Sequence, residues 1–127
     1  VPEKQSDYCL KSFKDDPEML IWCMSRTEVV SALTRRLRDQ TLSFDHFQTA
    51  KKRFKQLMEG VYQIHAVEKV ITRALRLLEV HPLRAADACQ LSSALVATQE
   101  DPVRLSVICF DHRLTEAAMK EGFTANP

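Results

Sequence analysis

The sequence predicts an α/β layer fold with a mainly parallel sheet, and three observations carry that prediction. Two short apolar runs, MLIWCM at residues 19–24 and LSVICF at residues 105–110, are uninterrupted by charge, the pattern of strands covered on both faces. Amphipathic helical stretches lie between and after them, the alternation that builds parallel sheets. Only two glycines occur in 127 residues, too few for a turn-rich all-β chain. With 45% hydrophobic residues, residues 1–127 read as one domain, able to bury roughly two-thirds of the surface that its unfolded chain exposes.

Each element has a local justification. SDYCLKSFK, residues 6–14, reads as a short helix stopped by Asp15, Asp16 and Pro17. After the first apolar run, SRTEVVSALTRRLRDQ places Val29, Leu33 and Leu37 at helical spacing. SFDHFQTAKKRFKQLMEG is a second amphipathic helix, with Phe44, Phe47, Phe54, Leu57 and Met58 on its apolar face and Gly60 at its end. Only Gln40, Thr41 and Leu42 separate the two, which predicts an αα-hairpin. VYQIHAV, residues 61–67, supplies a short strand. EKVITRALRLLEV is helical through Val70, Ile71, Ala74, Leu77 and Leu78, and Pro82 closes it. LRAADACQLSSAL, residues 83–95, forms the next helix. HRLTEAAMKEG follows the second apolar run, with Gly122 as its C-terminal cap.

Composition narrows the function classes. Lys and Arg number 18 against 17 for Asp and Glu, so no global basic field coats the molecule, and any polyanion must be held locally. The four cysteines are far apart with no C-x-x-C pair, and read as reduced thiols of an intracellular protein. No apolar run approaches a membrane span and no signal peptide opens the chain, so a cytoplasmic location is expected.

Three carboxylates stand out. Glu28 lies in the first turn after one apolar run and Asp111 directly follows the other, where the carboxyl ends of parallel strands open onto a ligand site. Asp87 shares a helix stripe with Leu83, Leu91, Ala94 and Leu95, an anomalous place for a charge. Each has an ordinary alternative: Ser25 to Glu28 fits a capping box, Asp111 fits an N-cap, and Asp87 fits a pairing with Arg84. Brought together, two carboxylates about 5 Å apart repel by about 3 kcal/mol at an effective dielectric near 20, so a cluster of three argues for a cation. Carboxylate oxygens without histidine or cysteine suit a hard ion, Mg²⁺ or Mn²⁺, and such ions bridge to phosphates.

Two segments, HPLRAADACQLSSAL at 81–95 and VICFDHRLTEAAMKEGF at 107–123, resemble the L-R-x-x-D-A-x-x-L helix and the F-D-x-x-L strand-to-helix segment of PIN-domain ribonucleases, in particular the VapC-type toxins of toxin-antitoxin pairs. SRTEVVSAL, residues 25–33, is similar to the family's segment with an acid at the head of a helix. The resemblance runs in order along nearly the whole chain. It implies a PIN-like three-layer α/β/α domain, with Glu28, Asp87 and Asp111 as catalytic, metal-binding acids. It also implies a Mg²⁺- or Mn²⁺-dependent endoribonuclease, a cognate antitoxin and a homodimer. PIN domains begin with a strand ending in D-x-S, which lies mid-sheet and contributes another acid. VPEK is similar to the loop that follows that strand and its short helix, so the resemblance implies a first strand upstream of residue 1.

Other residues invite a reading. His112 adjoins Asp111 and Thr27 precedes Glu28, while His46, His65 and His81 share no spacing with a nucleophile. KKRFK at 51–55, with Arg35, Arg36 and Arg38, loads the helical hairpin with positive charge, either a solvated face or a grip on an RNA backbone. Ser92 and Ser93 have no base at motif spacing. The competing function is a PIN-like module without catalysis, serving RNA binding or protein interaction. A weaker rival, a phosphatase or receiver-like domain, lacks a suitably placed lysine.

Overall fold

Both apolar runs form strands, each shorter than its run. The computed structural model describes residues 19–108 and 111–126. The order is β1 (Met19–Trp22), α1 (Ser25–Arg38), α2 (Phe44–Met58), β2 (Val61–Ile64), α3 (Val67–Val80), α4 (Ala85–Ala97), a 3₁₀ turn (Pro102–Arg104), β3 (Ser106–Ile108), α5 (His112–Lys120) and β4 (Thr124–Asn126). The helix expected at residues 6–14, Cys9, Cys109 and the end of the second apolar run lie outside the described residues.

All four strands pair in parallel, as a chain alternating strands and helices requires. β1 runs beside β2, with Met19 opposite Val61 and Trp22 opposite Ile64. β3 runs beside β4, with Ser106 opposite Thr124 and Ile108 opposite Asn126. The expected sheet is therefore two separate parallel pairs among the described residues, and no described strand joins them. β4 had no signature in the sequence: TAN is short and largely polar, and its pairing comes from backbone groups rather than an apolar face.

The core lies where α3, α4 and α5 meet. Ala74 and Leu77 from α3, Ala88, Leu91 and Leu95 from α4, and Leu114, Ala117 and Ala118 from α5 form one buried cluster with Phe123. α4 packs along α3 and also on β1. Ser92, fully buried, donates to the Val70 carbonyl oxygen at 2.6 Å, and Ser93 donates to the Gln90 carbonyl at 2.7 Å. These small hydroxyls let α3 and α4 approach while satisfying themselves, a packing role that accounts for both serines.

One ion-pair network ties the ends of this body. His81 is buried, and its Nε2 lies 2.6 Å from Glu121 Oε2. Arg73 donates from Nη2 to Glu121 Oε1 at 3.2 Å and from Nε to Glu100 Oε1 at 2.7 Å. Glu121 caps α5, and the next residue, Gly122, has φ +103°. Phe123 donates to the Ala118 carbonyl and Gly122 to that of Met119, the two bonds of a Schellman turn. A Cβ on Gly122 would lie 2.8 Å from Pro102 Cγ, so glycine is required there by space as well as by φ. Gln40 and Gln99 end α1 and α4 in the same left-handed conformation without glycine.

Candidate acidic site

The three acids reach their positions by different local routes. Asp111 N-caps α5, its carboxylate accepting from the Leu114 backbone N–H at 3.0 Å, as the capping reading expects. Asp87 sits in the first turn of α4, half-buried, and accepts from the backbone N–H of Arg84 while feeling that residue's positive charge. The capping box at Ser25 does not form: Met24 is the N-cap of α1 and makes no side-chain cap. Glu28 reaches instead to α4, where its Oε2 accepts from Gln90 Nε2 at 2.7 Å.

Electrostatics link these groups. Burial pushes the Asp87 carboxyl above its ordinary value, and the nearby Asp111 carboxylate pushes it further, while Arg84 opposes both. Burial likewise raises the Cys89 thiol, with the Glu28 charge adding to the effect, which keeps the sulfur protonated and neutral. α4 therefore presents Asp87, whose field partner is Asp111, and Gln90, whose partner is Glu28. Asp87 and Gln90 are three residues apart, neighbours on one helix face. Gln90 was not anticipated from the sequence; its position relative to Asp87 was the available signal, but a glutamine is usually a solvated residue.

The structure brings Asp87 and Asp111 into mutual influence and holds Glu28 on a neighbouring amide. Among the described residues, no group of three His, Cys, Asp or Glu side chains is close enough to hold a metal ion. No family model, curated protein or solved structure matches the chain. Asp87 and Asp111 offer carboxylate oxygens, the donor type that hard cations take, and their mutual repulsion is one that a positive charge would relieve.

The remaining candidates fall outward. The His112 side chain is 92% exposed and lies 3.8 Å from Glu116 on its own helix, a surface pair. His46 and His65 are exposed, whereas His81 belongs to the ion-pair network. Thr27 and Glu28 line a hollow of about 300 Å³ with Met24, Ser31 and Arg35. Cys23 and Cys89 are free thiols. No helix among the described residues is long and apolar enough to cross a membrane.

Proposed function

We propose that this chain is a PIN-like, Mg²⁺- or Mn²⁺-dependent endoribonuclease, the toxin of a toxin-antitoxin pair acting in the cytoplasm. The single observation that carries the reading is the Asp87–Asp111 pair: two carboxyls at adjoining helix starts, one of them burdened by the other's charge. A pair kept under like-charge repulsion is poor stabilising design and good cation-binding design. Glu28, tied to the same helix through Gln90, is the third acid of the set.

In this mechanism Asp87 and Asp111 would hold the ion, with Glu28 completing the set. The bound ion supplies charge neutralisation at the scissile phosphate and a more acidic water. The chain's own contribution is positional. The Leu114 N–H orients the Asp111 carboxylate, the Arg84 N–H orients that of Asp87, and Gln90 holds Glu28 until it is needed. Burial at Asp87 lowers the local screening and strengthens its bond to the Arg84 N–H. Water attack does not use the RNA 2′-hydroxyl, so the products carry 5′-phosphates. A homodimer and an antitoxin that covers the acids belong to the same reading.

The test is cleavage of single-stranded RNA with Mg²⁺ or Mn²⁺ and with EDTA, alongside Asp87→Asn. Metal-dependent cleavage leaving 5′-phosphates, reduced at least about 100-fold in the folded Asp87→Asn protein, is the expected result. Metal-dependent cleavage unchanged in that variant would remove Asp87 from the site. RNA binding without cleavage by the wild-type chain would favour a non-catalytic RNA-binding module.

A further inference from the structure

We propose that the cleft between α1 and α2 binds the sugar–phosphate backbone of single-stranded RNA and directs it towards Glu28, an inference that rests on the ribonuclease reading above. The cleft has a volume of about 950 Å³, and Arg26 and Val30 of α1 line it together with Lys51, Phe54, Lys55 and Met58 of α2. Thr27 and Ser31 line it too, and they also line the smaller hollow that holds Glu28 and Arg35. The cleft with the lysines of α2 thus adjoins, across Thr27 and Ser31, the hollow lined by Glu28.

The cations along these two hollows, Arg26, Arg35, Lys51 and Lys55, have no carboxylate partner among the described residues. Lys51 lies over the Phe47 ring, 5.3 Å from its centroid. Two acids, Glu28 and Glu59, line the two hollows against these four cations, and Glu28 is bonded to Gln90.

Their distribution selects the ligand. Arg26 stands on the α1 wall of the cleft, Lys51 and Lys55 stand one turn apart on the α2 wall, roughly 6 Å along the axis, and Arg35 lines the adjoining hollow. Cations spread along both walls match a ligand whose negative charge repeats along its length, as phosphates do in a single strand. Phe54, half-buried between them, offers a ring face on which a base can stack irrespective of its identity. An acidic peptide would satisfy the cations but leave the Phe54 ring without a base to stack on.

Binding of a 5′-fluorescein-labelled single-stranded RNA of mixed sequence, followed by anisotropy in EDTA across a potassium chloride series, tests the proposal. Lys51→Ala with Lys55→Ala should weaken binding and reduce the slope of log K against log salt by about 1.4, about 0.7 for each lost phosphate contact. Phe54→Leu, which keeps bulk but removes the ring, should weaken binding about 5-fold or more at every salt concentration. Both lysines are exposed, so the double variant should retain the wild-type circular dichroism and melting temperature. An unchanged slope in the folded double variant, or no RNA binding by the wild-type chain, overturns the inference. So does a polyglutamate peptide that binds the wild-type chain through these lysines while RNA does not. Since EDTA separates binding from hydrolysis, lysine-dependent binding by a chain that never cleaves RNA keeps this inference and overturns the ribonuclease reading. Cleavage that persists with an unchanged salt slope does the reverse.

Discussion

Helices α1 and α2, 14 and 15 residues long, bury no side chain completely, whereas the 9-residue α5 buries Leu114, Ala117 and Ala118. The hairpin relies on local devices. Ser43 caps α2 by accepting from the His46 N–H, and the chain leaves α1 through a left-handed Gln40 whose neighbour Thr41 donates to the Arg36 carbonyl. The α3–α4–α5 body relies on interlocked apolar side chains and on one ion-pair network. The lesson is a division of labour: side chains committed to a core are unavailable to ligands, so the candidate binding surface falls on the hairpin, and the acids lie in the first turns of α1 and α4 and just ahead of α5.

The largest expected effect breaks the body and spares the hairpin. Leu77 is 1% exposed and central to the core, so Leu77→Ala should cost about 2–5 kcal/mol in urea unfolding. Leu57 of α2 is 37% exposed, and Leu57→Ala should cost less than about 1 kcal/mol. Equal losses at the two positions would erase the distinction. A smaller effect is expected in the network. Glu121→Ala removes the partner of buried His81 and of Arg73, and should cost about 1.5–3 kcal/mol by thermal or urea unfolding.

The smallest effect sharpens the comparison at the acids. The Asp87 carboxyl holds its proton more tightly in the folded chain than in the unfolded one, so the folded state loses stability as pH rises from the ordinary value of 3.8 through the raised one. Asp87→Asn removes that burden. The variant should be slightly more stable than wild type at neutral pH, and the difference should vanish below about pH 3.8, as read by melting temperature against pH. A gain in stability accompanied by loss of cleavage would mark Asp87 as a residue kept for chemistry. A neutral-pH loss of stability would show instead that the Arg84 contacts outweigh burial and the Asp111 charge.

Helical spacing, caps and breakers made most elements legible. Of the five apolar positions read for α3, Val70, Ala74 and Leu77 are buried while Ile71 and Leu78 are exposed; Gly122 announced the end of α5, and the short span between Arg38 and Ser43 announced the hairpin. Asp111 was legible as a cap because capping is a local bond between neighbours in the chain. Glu28 misled for the same reason: Ser25 and Glu28 have capping-box spacing, yet the acid finds a better donor on another helix.

By itself, then, the sequence determined the alternation of strands and helices, the α1–α2 hairpin and the three conspicuous acids, since these depend on periodicity and on interactions within a few residues. Tertiary structure alone decided that Gln90 would hold Glu28, that Asp111 would burden Asp87, that His81 would be enclosed by Glu121, and that TAN would pair as β4. Each of those joins residues far apart in the chain. Their energies depend on distance and burial, which no local pattern encodes before α3, α4 and α5 have packed.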